Sequence, residues 1–257
     1  MPEIALTDAQ FERYARHLIL DEVGEAGQAR LMAARVLVVG AGGLGSPILL
    51  YLAAAGVGTL GIVDDDIVDL SNLQRQIIHP TSQIGVSKVE SARETIAAIN
   101  PEIVVECHTK RIDEKNAETL VGAYDLIADG SDNFDTRYLL NDVCHNLAKP
   151  LVAGALSPFE GQVSTFKSHL GPPHPCYRCL FREAPPQDAV PRCVEAGILG
   201  AVAGVIGTIQ ATEVLKELLG IGDSLSGSLL IYDALRSDFH RVKLPRDPEC
   251  PTCSRTP

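Results

Sequence analysis

The sequence predicts an α/β fold: a doubly wound parallel sheet followed by a mostly antiparallel C-terminal extension. Three observations predict it. Short apolar runs at Arg35–Val39, Thr59–Val63, Ile103–His108, Tyr124–Ala128 and Pro150–Ala155 alternate with stretches of helical periodicity. A glycine-rich turn, Gly40-Ala41-Gly42-Gly43-Leu44-Gly45, joins the first run to the helix after it. Beyond residue 155 the alternation stops, and Gln162–Lys167, Ser228–Tyr232 and Phe239–Leu244 read as strands around one long helix, Gly197–Leu219.

In chain order, Thr7 and Gln10 form a capping box that opens an amphipathic helix to about Leu20, and Glu25–Ala34 reads as a second helix. The glycine turn leads into a helix ending near Gly56. Ser87 and Glu90 read as another capping box, for a helix that Asn100-Pro101 stops. Shorter helical patterns cover Asn116–Val121 and Asn133–Ala148. Glu183–Arg192 holds three prolines and little apolar periodicity, as an exposed mobile loop does. The chain divides as one domain in three parts: helices over 1–34, a core over 35–155 and a final region over 156–257.

The 257 residues, 46% of them hydrophobic, suffice for a sizeable core. With 22 Lys+Arg against 33 Asp+Glu the formal charge is −11, which argues against nucleic acid, because phosphate-backbone binding needs clustered cations. The N-terminus lacks the basic and apolar blocks of a signal peptide. The small-apolar stretch Ile198–Ile209 is glycine-interrupted and shorter than the roughly 20 residues a membrane span needs, so it suits a buried or interfacial helix and no membrane is expected. These features suit a cytoplasmic protein.

Gly40-x-Gly42-x-x-Gly45 sits between strand and helix, the context in which such a motif admits a phosphate on a Rossmann-like sheet. Gly40, Gly42, Gly43 and Gly45 let the backbone approach, and the helix start offers free N–H groups. Asp64, about 20 residues on, suits a ribose hydroxyl pair. Asp66, Ser71, Asn72, Arg75 and Gln76 bring further polar groups and a cation to the same edge. Lys88 stands at the first helical position, where a cation opposes the helix dipole by about 0.3–1 kcal/mol. Position alone makes it a surface lysine. With Arg75, however, it suits a triphosphate better than a nicotinamide cofactor. Asp132 and Asn133 start another helix at that edge, and Asp132 reads either as its cap or as a Mg²⁺ ligand.

Seven cysteines remain. Cys176-x-x-Cys179 and Cys250-x-x-Cys253 have the spacing of a closed tetrahedral Zn²⁺ site that clips the C-terminal segment to the domain. Cys107 and Cys144 read as core residues, whereas Cys193 follows Arg192 and is either an exposed nucleophile or a buried thiol.

Together, Gly-Ala-Gly-Gly-Leu-Gly, Asp64-Asp65-Asp66, Leu70-Ser71-Asn72-Leu73-Gln74-Arg75-Gln76, Ser131-Asp132-Asn133, Cys176-Tyr177-Arg178-Cys179-Leu180, Cys193-Val194-Glu195-Ala196-Gly197 and the last Cys-x-x-Cys resemble the MoeB/ThiF/HesA group of the ubiquitin-activating-enzyme superfamily, from about Phe11 to Cys253. The Cys193 motif is nearer its molybdopterin-synthase branch, the acidic triplet nearer its thiamine branch. The resemblance implies an adenylyltransferase that uses ATP on the C-terminal Gly-Gly of a ubiquitin-like sulfur-carrier protein, releasing pyrophosphate. It assigns ATP binding to Gly42, Asp64, Asn72, Arg75 and Lys88 and Mg²⁺ to Asp132. Arg16 is assigned to the triphosphate of the other subunit of a homodimer, and Cys193 to a variable acceptor role. The implied nucleophile is a carboxylate already ionised at neutral pH, so no general base is required. Since the chain stops soon after Cys253, the resemblance implies a separate persulfide sulfur donor.

Overall fold

The computed structural model describes residues 6–183 and 197–254. Helix α1 (Asp8–Leu18) opens on the expected box, the Thr7 hydroxyl accepting from the Gln10 N–H and the Gln10 side chain from the Thr7 N–H. Helix α2 (Gly24–Ala33) leads into β1 (Arg35–Val39), α3 (Gly45–Ala55), β2 (Thr59–Val63), α4 (Lys88–Ile99) and β3 (Val104–His108). Then come α5 (Ala117–Gly122), β4 (Leu126–Asp129), α6 (Phe134–Asn146), β5 (Leu151–Leu156) and β6 (Glu160–Phe166). A single-turn α7 (Tyr177–Leu180), the long α8 (Gly200–Leu219), β7 (Ser228–Asp233) and β8 (Asp238–Lys243) complete it. One expected cap is absent: Ser87 makes no side-chain cap on α4, and Glu90 pairs with Arg93. Ser87 instead bridges to Ile67, which ties the acidic segment to the start of α4.

Among the described residues the eight strands form one sheet in the order β3-β2-β1-β4-β5-β6-β7-β8. The first five are parallel, with Val36 opposite both Leu60 and Leu126, and the last three are antiparallel, as expected. Side chains on a strand alternate between faces, and β1 shows the result. Val36 and Val38 join Ile48, Leu52, Val89, Ile96, Val202 and Ile206 in a core under α3, α4 and α8. Leu37 and Val39 join Val121, Leu140, Val143 and Tyr177 under α5, α6 and α7 on the other face.

The glycines of α8 allow close approach, since a methyl at Gly207 would lie 2.4 Å from Pro47 Cγ and 2.6 Å from the Leu44 carbonyl oxygen. Among the described residues no helix is long and apolar enough to cross a membrane. The strand order reverses direction between β1 and β4. There two neighbouring strands send their connections to opposite faces, and a crevice opens beyond their C-terminal ends.

Candidate active site

The glycine turn occupies that crevice. Gly40, at φ +92°, hands its N–H to the Val63 carbonyl, and Gly130 at the end of β4 donates to Val39. A Cβ at Gly40 would stand 2.9 Å from the Gly130 oxygen, and one at Gly45 only 1.9 Å from the Gly40 oxygen. Only glycine fits either place. Gly45→Ala therefore pushes backbone against backbone: we expect a destabilisation of about 1–3 kcal/mol or more, read as a lower Tm. Helix α3 begins here with no side-chain cap and no acidic residue in its first turn. In its first turn Ser46 donates its N–H to the Gly42 carbonyl at 2.9 Å and Pro47 has none, so an outside acceptor would meet chiefly the N–H groups of the glycine turn itself.

Around this turn stand the other residues singled out by the sequence. Asp64 spends both carboxylate oxygens on backbone, accepting from the Ala41 N–H at 2.8 Å and the Asp66 N–H at 2.9 Å. Arg75 lays its stem over Gly43 and donates from its guanidinium to the Ser71 carbonyl at 3.1 Å. Ser71 in turn donates to Asp69, and the Asn72 carbonyl accepts from the N–H groups of Arg75 and Gln76. Gln76 is buried with its Oε1 unpartnered and its amide nitrogen facing Gly42. This segment is seated by α8, whose Gly200 lies against the Gln74 carbonyl.

Lys88 is not a surface residue. It is 5% exposed, with Nζ 2.8 Å from a largely exposed Asp66 carboxylate. The cap of α6 goes to Asn133, whose Oδ1 accepts from the Thr136 N–H at 2.9 Å, so capping is not the role of Asp132, which lies exposed at the crevice. Arg16 is not brought to the turn by its own chain. Tyr14 is buried against Gly56 and accepts from Asn100, and Arg13 donates to the Ile99 carbonyl. Helix α1 is thereby anchored at the far end of α4 from Lys88, about 18 Å along a 12-residue helix.

The four expected cysteines converge. Their Sγ atoms lie within 4.8 Å of one another, with Cys176–Cys250 at 3.4 Å, Cys179–Cys253 at 3.5 Å and Cys176–Cys179 at 3.9 Å. Four thiolates around a zinc at about 2.3 Å stand about 3.8 Å apart, so the donor set fits that ion. The Cys176 and Asp247 N–H groups donate to Cys179 Sγ. Asp142 on α6 holds both knuckles, accepting from Arg178 through two bonds (3.0 and 2.7 Å) and from the Thr252 hydroxyl at 2.9 Å. Burial pushes the Cys107 thiol up to about 11 and moves Cys144 in the same direction, as suits unreactive core residues. Cys193 and most of the proline-rich loop lie outside the described residues.

The ThiF family model matches residues 14–252 of this chain. The chain belongs to the ThiF family. It is 50% identical over 250 residues to the SAMP-activating enzyme E1 of Haloferax volcanii, covering 97% of this chain and 91% of that one. With the sulfur carrier protein adenylyltransferase of Thermus thermophilus it shares 48% over 253 residues, covering 98% and 93%. The probable adenylyltransferase/sulfurtransferase MoeZ of Mycobacterium tuberculosis is 50% identical over 254 residues, but those span 97% of this chain and 64% of MoeZ. In three dimensions E. coli MccB, crystallised with MccA-N7isoASN, matches with a TM-score of 0.83 at 19% identity, over 99% of this chain and 77% of MccB. That likeness concerns the fold.

In this ThiF-family chain a group of buried polar residues beneath the Asp132 turn escapes sequence reasoning. Asp129, fully buried at the end of β4, accepts from the Ser131 N–H at 2.8 Å, and Arg137, 9% exposed, donates to the Ser131 carbonyl at 3.0 Å. Gln210 of α8 donates to the Asp129 carbonyl at 2.8 Å. The peptide units before and after Ser131 are thus gripped from below. Desolvation pushes the Asp129 carboxyl up from its ordinary value, against the pull of Arg137. Asp129 ends an apolar run and Arg137 falls inside a helix, so nothing in the residue pattern marks either as buried.

Proposed function

We propose that this chain adenylates the C-terminal Gly-Gly carboxylate of a ubiquitin-like sulfur-carrier protein with ATP, releasing pyrophosphate and leaving an acyl-adenylate for thiocarboxylate formation. The observation that carries the reading is the phosphate cradle of a chain that is about half identical, over nearly its whole length, to a protein named sulfur carrier protein adenylyltransferase. In that cradle a tight glycine turn and an uncapped helix start lie beside Arg75 and a buried Lys88.

The residues would divide the work as follows. The backbone N–H groups of the turn and of the start of α3 hold phosphate oxygens. Lys88 and Arg75 offset the negative charge that grows as the carboxylate meets the α-phosphate and pyrophosphate departs. Asp132, an exposed hard-oxygen donor free of capping duty, would hold Mg²⁺, which neutralises phosphate charge when bound. Arg16, anchored far from its own Lys88, would serve the cradle of the partner in a homodimer. The four cysteines would hold a structural Zn²⁺ without an open position for chemistry. Sulfur would arrive from a separate persulfide donor, and the molybdopterin-synthase small subunit is the first carrier to try, the thiamine-pathway carrier the second.

The test is ATP–pyrophosphate exchange with each carrier, intact and shortened by its terminal Gly-Gly. Exchange with one intact carrier that disappears on shortening is the expected result. ATP binding without exchange on any carrier would overturn the assigned substrate.

A further inference from the structure

We infer that His79 is a positioning residue for the phosphate cradle, setting the glycine turn against the helix that carries Lys88. It lies between the Ser71–Gln76 segment and α4 and is 5% exposed. Its Nε2 is 2.8 Å from the Ala41 carbonyl oxygen, and its Nδ1 is 2.8 Å from Ser91 Oγ. A carbonyl only accepts, so Nε2 carries the proton and donates to Ala41. On the other side of the same residue, the Ala41 N–H donates to Asp64. Both backbone groups of the residue between Gly40 and Gly42 are therefore held, one from the end of β2 and one by the imidazole.

Ser91 stands three residues after Lys88, on the neighbouring turn of α4. One ring thus ties together the two sides of the site, the N–H donors of the turn and the ammonium of Lys88. Burial, assisted by the charge of Lys88, pushes the imidazole down from its ordinary value, against the pull of Ala41 and Asp64. Ser91 Oγ, which faces Nδ1, in turn donates its proton to Gln83 Oε1, so the ring, Ser91 and Gln83 form one hydrogen-bonded chain beside α4. A mobile lysine or turn could bind ATP, but only after losing the freedom that this bridge has already removed. His79 touches no reacting atom. Its contribution is to geometry, and it belongs on the binding side of the kinetics.

The inference rests on the reading of the turn and Lys88 as an ATP site. The experiment is calorimetric titration of the full chain with Mg-ATP, followed by ATP–pyrophosphate exchange, for wild type, His79→Gln, His79→Asn and Ser91→Ala. The Gln amide places an N–H donor where Nε2 stands, whereas the shorter Asn amide serves only the Ser91 side. We expect His79→Gln to bind within about threefold of wild type and His79→Asn to bind about tenfold more weakly or worse. At saturating ATP, kcat of both should stay within about threefold of wild type. Ser91→Ala should weaken binding by about threefold or more. Rescue by Gln separates positioning from a packing role, in which both amides would fail alike and Tm would fall with them. Unchanged ATP affinity in His79→Asn, or equal losses in Asn and Gln, overturns the inference. If His79→Asn does not fold, unchanged affinity in Ser91→Ala overturns it. Wild type that binds no Mg-ATP overturns the site reading itself, a separate outcome.

Discussion

Lys88→Met is expected to cut ATP–pyrophosphate exchange by about two to three orders of magnitude while leaving the protein as stable as before or slightly more so. The two effects have different sources. Lys88 stands at the first position of α4, where its charge faces the positive end of the helix dipole, and removing it relieves about 0.3–1 kcal/mol. Its partner Asp66 is 69% exposed at the side chain, so water replaces the ammonium there at little cost. Methionine fills the buried path of the aliphatic stem. What disappears is a fixed cation at the crevice, already desolvated and aimed before any phosphate arrives. Exchange kinetics and a thermal melt on the same preparation check the pair of outcomes. Exchange that stays at the wild-type level would remove Lys88 from the chemistry.

Cys250→Ser is expected to abolish the retention of one zinc per chain and to lower Tm by about 6–12 °C, the equivalent of at least about 3 kcal/mol at this size. Structural zinc contributes its binding energy to folding. Here the ion would join α7 to the C-terminal knuckle, two segments otherwise linked through Asp142, the Asp247 N–H on Cys179 Sγ, and Arg182 beside Asp247 and Glu249. Cys176, Cys250 and Cys253 are fully buried, so a stripped cluster would leave crowded thiols with no counter-charge. Metal analysis and melting curves with and without a strong chelator provide the check. Cys107→Ala, whose sulfur lies on β3, should retain the metal in full. A wild type that holds no zinc, and melts alike with and without chelator, would show that the cluster binds no zinc.

How much of this was legible in the residues differs from place to place. Strands β1 and β2 begin and end where the sequence puts them, because β-branched runs between glycine turns leave the backbone few alternatives. The cysteine cluster was legible because thiol spacing is a geometric statement about one ion. The capping boxes were less so: Thr7–Gln10 forms, but Ser87 is drawn into a bridge with Ile67 that no local pattern encodes. Lys88 reads as a surface residue until β2 and the 64–68 segment fold over it. His79, Asp129 and Arg137 lie in three separate stretches, and each looks like an isolated polar residue. Their meaning comes from backbone groups, Ala41 and Ser131, that have no letter of their own.

The seating of α8 has a consequence for the order in which the molecule is made. The glycine turn in the crevice is encoded by residues 40–45, yet the wall behind it comes from residues 200–210, where Gly207 meets Leu44, Gly200 meets Gln74 and Gln210 reaches Asp129. Val202, Ile206 and Val214 also cover the apolar face of β1 and β4. As a ribosome releases the chain from its N-terminus, the five parallel strands emerge with part of one face still uncovered, and the crevice stays unfinished until residues 200–210 are out. The nascent chain therefore carries its motif long before it can carry a nucleotide. Long-range closure of this kind makes folding slower than the short, local strand–helix units suggest.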